Sequence, residues 1–137
     1  MSIKEQQQTK TKYYAEAIRY MDNAKDTLRK AGKEDNYYKD EKYVKTACGI
    51  AYNGVLKALD GYLILKQVPG IKKGNRKSKE CYEKALANQD WKMLSAFESA
   101  YSILHLSGYY DGITHAKTVN SGFELAYEII EKIRPAA

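Results

Sequence analysis

The stretch YSILHLSGYYDGITH, from Tyr101 to His115, gathers both histidines of the chain, three tyrosines and an aspartate. Histidine titrates near neutral pH, so His105 or His115 could move a proton in acid–base chemistry, with Asp111 as the carboxylate beside it. The same three residues could be offered to a metal ion. However, the spacing H-x5-D-x3-H matches no ligand pattern such as HExxH. A metal site also needs several convergent ligands, and no thiolate cluster helps to complete one. Cys48 and Cys81 have neither CxxC pairing nor metal-ligand spacing. No metal and no cofactor are therefore expected. No nucleophile and no oriented carboxylate pair stands out, so no residue is assigned as catalytic. His105, His115 and Asp111 are held as acid–base candidates only.

A second chemistry is suggested by KQVPGIKKGNRKSK, from Lys66 to Lys79. Six of the 23 basic residues lie here with no acid among them, and the remaining 17 balance the 17 acidic residues. The net charge of +6 therefore belongs to one loop and its flanks. A glycine-containing turn with Lys72, Lys73, Arg76 and Lys77 can capture an anion beside the start of the next helix. The loop is not a P-loop, because Gly70 is followed by Gly74 and then Asn75, and GxxxxGK[ST] is absent. With neighbouring tyrosines the loop could neutralise phosphates and stack bases, which makes a nucleic acid or nucleotide a candidate partner. The plainer account is a solvated connector.

These residues must be positioned by helices. The first segment spans about Thr11 to Ala31, where Tyr13, Ala17, Met21, Ala24, Leu28 and Ala31 repeat at alternating spacings of four and three. Gly32 suits its C′ position. The polar KEDNYYKDE that follows reads as a connector. The second segment, about Asp40 to Gln67, carries two stripes: Val44, Cys48, Tyr52, Val55, Leu59 and Tyr62, and the all-small Ala47, Ala51, Gly54, Ala58 and Gly61. A helix with two apolar stripes is central, and two glycines on one stripe predict close approach of a neighbouring backbone. A short third segment runs from Ser78, its N-cap, to Ala87. The fourth runs from Trp91, capped by Asp90, to about Ser107, and the fifth from Ala116 to Arg134.

On this layout the opening stretch has a bland explanation. Gly108 would be the C′ residue of the fourth helix, Tyr109–Gly112 a turn, and Thr114 the N-cap of the fifth. His105 near a helix C-terminus also interacts favourably with the dipole when charged.

The expected fold is all-α: an up-and-down four-helix bundle with one extra short helix in the connection between the second and fourth helices. Residues 1–10 are expected to form a polar N-terminal tail and residues 11–134 a single domain. There is no strand-like alternation, no secretory h-region and no apolar run long enough for a membrane span. Unpaired cysteines suit a reducing compartment, so a cytoplasmic protein without membrane association is expected. Thirteen tyrosines, three pairs of them adjacent, suit half-buried seams and an isologous homodimer interface.

The run AYNGVLKALDGYLI (Ala51–Ile64) resembles the second helix of HEPN domains, and GFELAYEIIEKI (Gly122–Ile133) looks like their last. More closely, YVKTACGIAYNGVLKALDGYL, SAYSILHLSGYYDG and GFELAYEIIEKI resemble a small bacterial domain family of unknown function, from about Tyr14 to Ile133. The resemblance implies a bundle, frequent homodimerisation, and association with RNA or a nucleotide. HEPN ribonucleases carry an arginine five to seven positions before a histidine. Those positions hold Ala100, Ser99 and Glu98 before His105, and Tyr110, Tyr109 and Gly108 before His115. No guanidinium is present to polarise a phosphodiester, so the family's catalytic residues do not carry over. The leading expectation is a non-catalytic HEPN-like binding module. The alternatives are an RNA- or nucleotide-directed enzyme or toxin–antitoxin component using His105, His115 and the 66–79 loop, and a small-molecule binder with a cavity between the second and fourth helices.

Overall fold

The computed structural model describes residues 1–71 and 77–137. The fold is all-α apart from one minute hairpin. The elements are α1 (Ile3–Arg29), β1 (Lys33–Glu34), β2 (Tyr37–Tyr38), α2 (Glu41–Leu65), α3 (Lys79–Gln89), α4 (Trp91–Ala100), a π-helix (Tyr101–Tyr110) and α5 (Ala116–Glu131). One apolar cluster joins them, with Phe97, Met21, Leu59, Leu104 and Ile130 among its fully buried side chains. Among the described residues, no helix is long and apolar enough to cross a membrane.

α2 is the axis. Its small stripe, Ala47, Ala51, Gly54, Ala58 and Gly61, is buried throughout. A Cβ added at Gly61 would sit 2.6 Å from Tyr13 Cβ on α1, and one at Gly54 would sit 3.3 Å from Tyr20 Cβ. Its other stripe faces the π-helix, α3 and α4, where Tyr52 packs against Phe97 with ring centroids 6.5 Å apart.

Local signals fix most of the helix starts. Asp40 accepts from Lys42 N–H, Ser78 from Cys81 N–H and Asp90 from Met93 N–H, each satisfying a donor left over at a helix N-terminus. Asp90 also accepts from the Tyr62 hydroxyl at 2.8 Å, tying α2 to the α3–α4 junction. That bond, with the N–H of Met93, holds the Asp90 carboxyl below its ordinary range, while burial pushes the Tyr62 phenol up to about 12.

Four expectations are corrected. The polar residues 3–10 are helical: α1 begins at Ile3, where Ser2 and Glu5 form a reciprocal capping box that needs no apolar stripe. The connector after α1 contains a hairpin, paired Lys33↔Tyr38 and Glu34↔Tyr37, with Asp35 in the left-handed region at its tip. Gly108 does not end a helix. It lies inside the π-helix, where a Cβ would come within 2.6 Å of Cys48 Cβ. Thr114 does not cap α5. The N-cap position is His115, whose side chain makes no capping bond and instead lies 3.2 Å from Thr118 Oγ1 through Nδ1.

The two glycines of the small stripe give a graded test. Gly61→Ala gains helix propensity, worth about 1 kcal/mol, but drives a methyl into the Tyr13 backbone-proximal Cβ. The expected outcome is a net loss of roughly 1–3 kcal/mol from overpacking, against a near-neutral Gly54→Ala. Paired urea melts check this; equal stability of both variants and the parent would show that α1 and α2 do not meet through these residues.

Candidate ligand cleft

A π-helix bonds i→i+5, as Asp111 N–H does to Leu106 O at 2.9 Å. Tyr101, His105 and Tyr109, at i, i+4 and i+8, would share a face in an α-helix too; the wider turn adds Tyr110. Tyr101, His105, Tyr109 and Tyr110 become a ladder: the His105 ring lies 5.0 Å from Tyr101, 5.8 Å from Tyr109 and 5.0 Å from Tyr110. In an α-helix, Tyr110 would turn away from His105. From α2, Tyr52 closes the other side at 4.9 Å. Such aromatic pairs contribute about 0.5–1.5 kcal/mol each beyond area burial. π-turns recur at functional sites, because they re-aim side chains at the cost of regular bonding.

Tyr101 and His105 of this ladder line a cleft of about 490 Å³ between α1, α2, α3 and the π-helix. α2 contributes Tyr52, Leu56 and Asp60 at i, i+4, i+8, flanked by Asn53 and Lys57 at i and i+4. α3 and the residue two places before it contribute Tyr82, Lys79 and Lys77. Lys77 Nζ lies 3.1 Å from Asp60 Oδ1, and the Tyr82 hydroxyl donates to the same oxygen at 2.8 Å. The Lys77 side chain is only 4% exposed and that of Asp60 17%. Lys79 sits 4.4 Å from the centre of the Tyr101 ring and pairs with Glu83 at 3.2 Å.

Burial sets the protonation of the wall. It pushes the Tyr52 and Tyr82 phenols well above the ordinary tyrosine range, so both stay neutral. Burial also lowers the His105 pKa, which favours a neutral ring. The cleft therefore offers neutral aromatic surfaces beside three lysines and one carboxylate.

The expected His–Asp–His constellation is not assembled at this cleft. His105 lines it, but Asp111 and His115 do not. Asp111 is exposed, and His115 packs edge-on against Tyr37 of the hairpin at 5.4 Å. Among the described residues, no group of three His, Cys, Asp or Glu side chains could hold a metal ion. Cys48 is buried, and its thiol is pushed up to about 12, which leaves it unreactive. Of the basic run, Lys77 and Lys79 line the cleft; Lys72, Lys73 and Arg76 lie outside the described residues. The sequence pattern did not single out Lys57 or Asp60, and it read Tyr82 only as part of the apolar face of the third helix. The signal for Lys57 and Asp60 was the polar edge beside the α2 stripe.

The chain matches the family model described as a domain of unknown function (DUF5618) over residues 12–135. A solved protein of unknown function from Dyadobacter fermentans is similar to it, with 44% identity over 90% of this chain and 94% of that one and a TM-score of 0.77. No curated protein matches. These findings bear out the resemblance to a small helical family of unknown function.

His105 carries the pH test. Its folded pKa lies below the ordinary value of 6.5, so the unfolded chain binds more protons between the two values. Its contribution to stability is full above 6.5 and falls as pH drops toward the folded pKa. NMR titration of the ring should give a midpoint below 6.5, and His105→Phe should remove that part of the slope of Tm against pH. A midpoint at or above 6.5 would contradict burial of the ring.

Proposed function

We propose that this chain, which belongs to the DUF5618 family of domains of unknown function, is a non-catalytic binding module whose cleft takes a nucleotide unit. One observation carries the proposal: the π-helix brings the Tyr101 and His105 rings into the same cleft as Lys57, Lys77 and Lys79. A base has a π-face for the aromatic wall, and a phosphate has charge for the lysines. A volume of about 490 Å³ falls within the range of about 300–1,000 Å³ usual for small-molecule sites. The basic run of the sequence ends in Lys77 and Lys79, both of which line the cleft.

Binding without turnover is favoured by what surrounds His105. Its ring neighbours are tyrosines, and neither Asp111 nor His115 lines the cleft with it to form an oriented acid–base pair. The HEPN-like four-helix bundle, with α4 and the π-helix acting as one long arm, is part of the same proposal. The arginine those ribonucleases use has no counterpart at positions 98–100.

Calorimetric titration with adenosine 5′-monophosphate, and fluorescence anisotropy with a short single-stranded RNA, test the proposal. The expected result is saturable binding of both, weakened by about 1–3 kcal/mol in Tyr101→Ala through lost stacking. Each lysine–phosphate contact should add about −0.7 to the log–log salt slope for RNA, so Lys79→Gln should lower that slope by one contact. Absence of binding at low salt would refute the module. RNA cleavage that disappears in His105→Ala would make the chain an enzyme instead.

A further inference from the structure

A second cavity, of about 460 Å³, lies where the end of α1 and the hairpin meet α5. It shares no lining residue with the cleft around His105. Its floor is apolar: Leu28, Tyr38 and Phe123 are only 8%, 8% and 7% exposed, and Tyr127 continues the wall. The Tyr38 hydroxyl donates to Asn120 Oδ1 at 3.1 Å, so its polar tip is satisfied and the ring presents an apolar face. The rim is cationic, with Lys25, Arg29 and Lys33 against a single acid, Glu124. Two of these cations are held over rings of the cavity. Lys25 Nζ lies 5.2 Å from the Tyr127 centroid, and Lys33 Nζ lies 5.9 Å from that of Tyr38.

We propose that this cavity is a binding site for a small amphipathic anion, with an aryl or alkyl body on the floor and one acidic head among Lys25, Arg29 and Lys33. The chemistry selects against the ligand of the other cleft. A sugar or a base edge placed on this floor would leave hydroxyls and N–H groups without partners, which costs about 1–3 kcal/mol each. An apolar body loses nothing there and gains the area it removes from water. The head then meets three cations; Asp26, which pairs with Arg29, and Glu124 offset part of their attraction.

Fluorescence titration with anilinonaphthalene sulfonate tests the site, because this dye joins an aryl body to one sulfonate. Saturable one-to-one binding is expected. The triple variant Lys25→Gln, Arg29→Gln, Lys33→Gln should weaken it about tenfold, three exposed charge contacts together being worth roughly 1.4 kcal/mol. Glu124→Gln should tighten it, and the neutral N-phenylnaphthylamine should bind the parent and the triple variant alike. All substitutions are at exposed positions, and circular dichroism confirms that each variant folds. The proposal is overturned by equal dye affinity in the parent and the triple variant, by the absence of saturable binding, or by a Glu124→Gln variant that binds no tighter. Displacement of the dye by adenosine 5′-monophosphate would place it in the other cleft and overturn the proposal as well.

Discussion

Everything in this fold is arranged around how closely α2 lets its neighbours approach. On one side, α1 lies against a stripe of alanine and glycine, near enough at Gly61 that a methyl would meet Tyr13 at 2.6 Å. On the other, Gly108 of the π-helix lies against Cys48, with no more space than a hydrogen requires. Packed interiors leave no slack at such contacts. A helix squeezed between two others with so little side-chain volume brings its own flanking residues, Tyr52 through Asp60, to the edge where three other elements converge. From the π-helix segment, Tyr101 and His105, at i and i+4, join that edge. The cleft is a consequence of the packing and not an appendage to it.

The charged part of the cleft follows a different logic. Lys77 is almost wholly buried, and it shares Asp60 Oδ1 with the Tyr82 hydroxyl. A buried pair of this kind contributes little net stability, because desolvation offsets much of the attraction. Its effect is positional: it pins the chain just before α3 to the middle of α2 and leaves the cleft a fixed charge pattern. Lys79, more exposed and lying over the Tyr101 ring, is the cation best placed to exchange its present contacts for a ligand's.

Sequence pattern revealed what obeys a simple period. The α2 stripes, Ser78 and Asp90 as caps, and α2 as the central helix could all be read from spacing and residue type. The π-helix could not. Leu94, Phe97, Tyr101 and Leu104 keep an α-helical rhythm into the segment, and Gly108 looks like a terminator because glycine serves equally at a C′ position and at a close contact. The hairpin escaped because two residues per strand form no alternation. Residues 3–10 escaped because a capping box, not an apolar face, starts that helix. The cleft was illegible for a deeper reason: its residues come from four elements, and no linear motif records a convergence made by packing. The H-x5-D-x3-H spacing illustrates the converse, since its members are neighbours in sequence while only His105 reaches the cleft.

The central claim is that Tyr101 and His105 of the π-helix, with Tyr52, form a ligand-facing wall. Aromatic carbon–proton NMR spectra recorded while adenosine 5′-monophosphate is added test it most directly, because a stacked base imposes ring-current shifts only on the rings it covers. The account predicts that the His105, Tyr52 and Tyr101 signals move together and saturate, while those of Tyr38 and Tyr127, which line the other cavity, stay in place. Unmoved His105 and Tyr101 rings at a nucleotide concentration that saturates binding would contradict it.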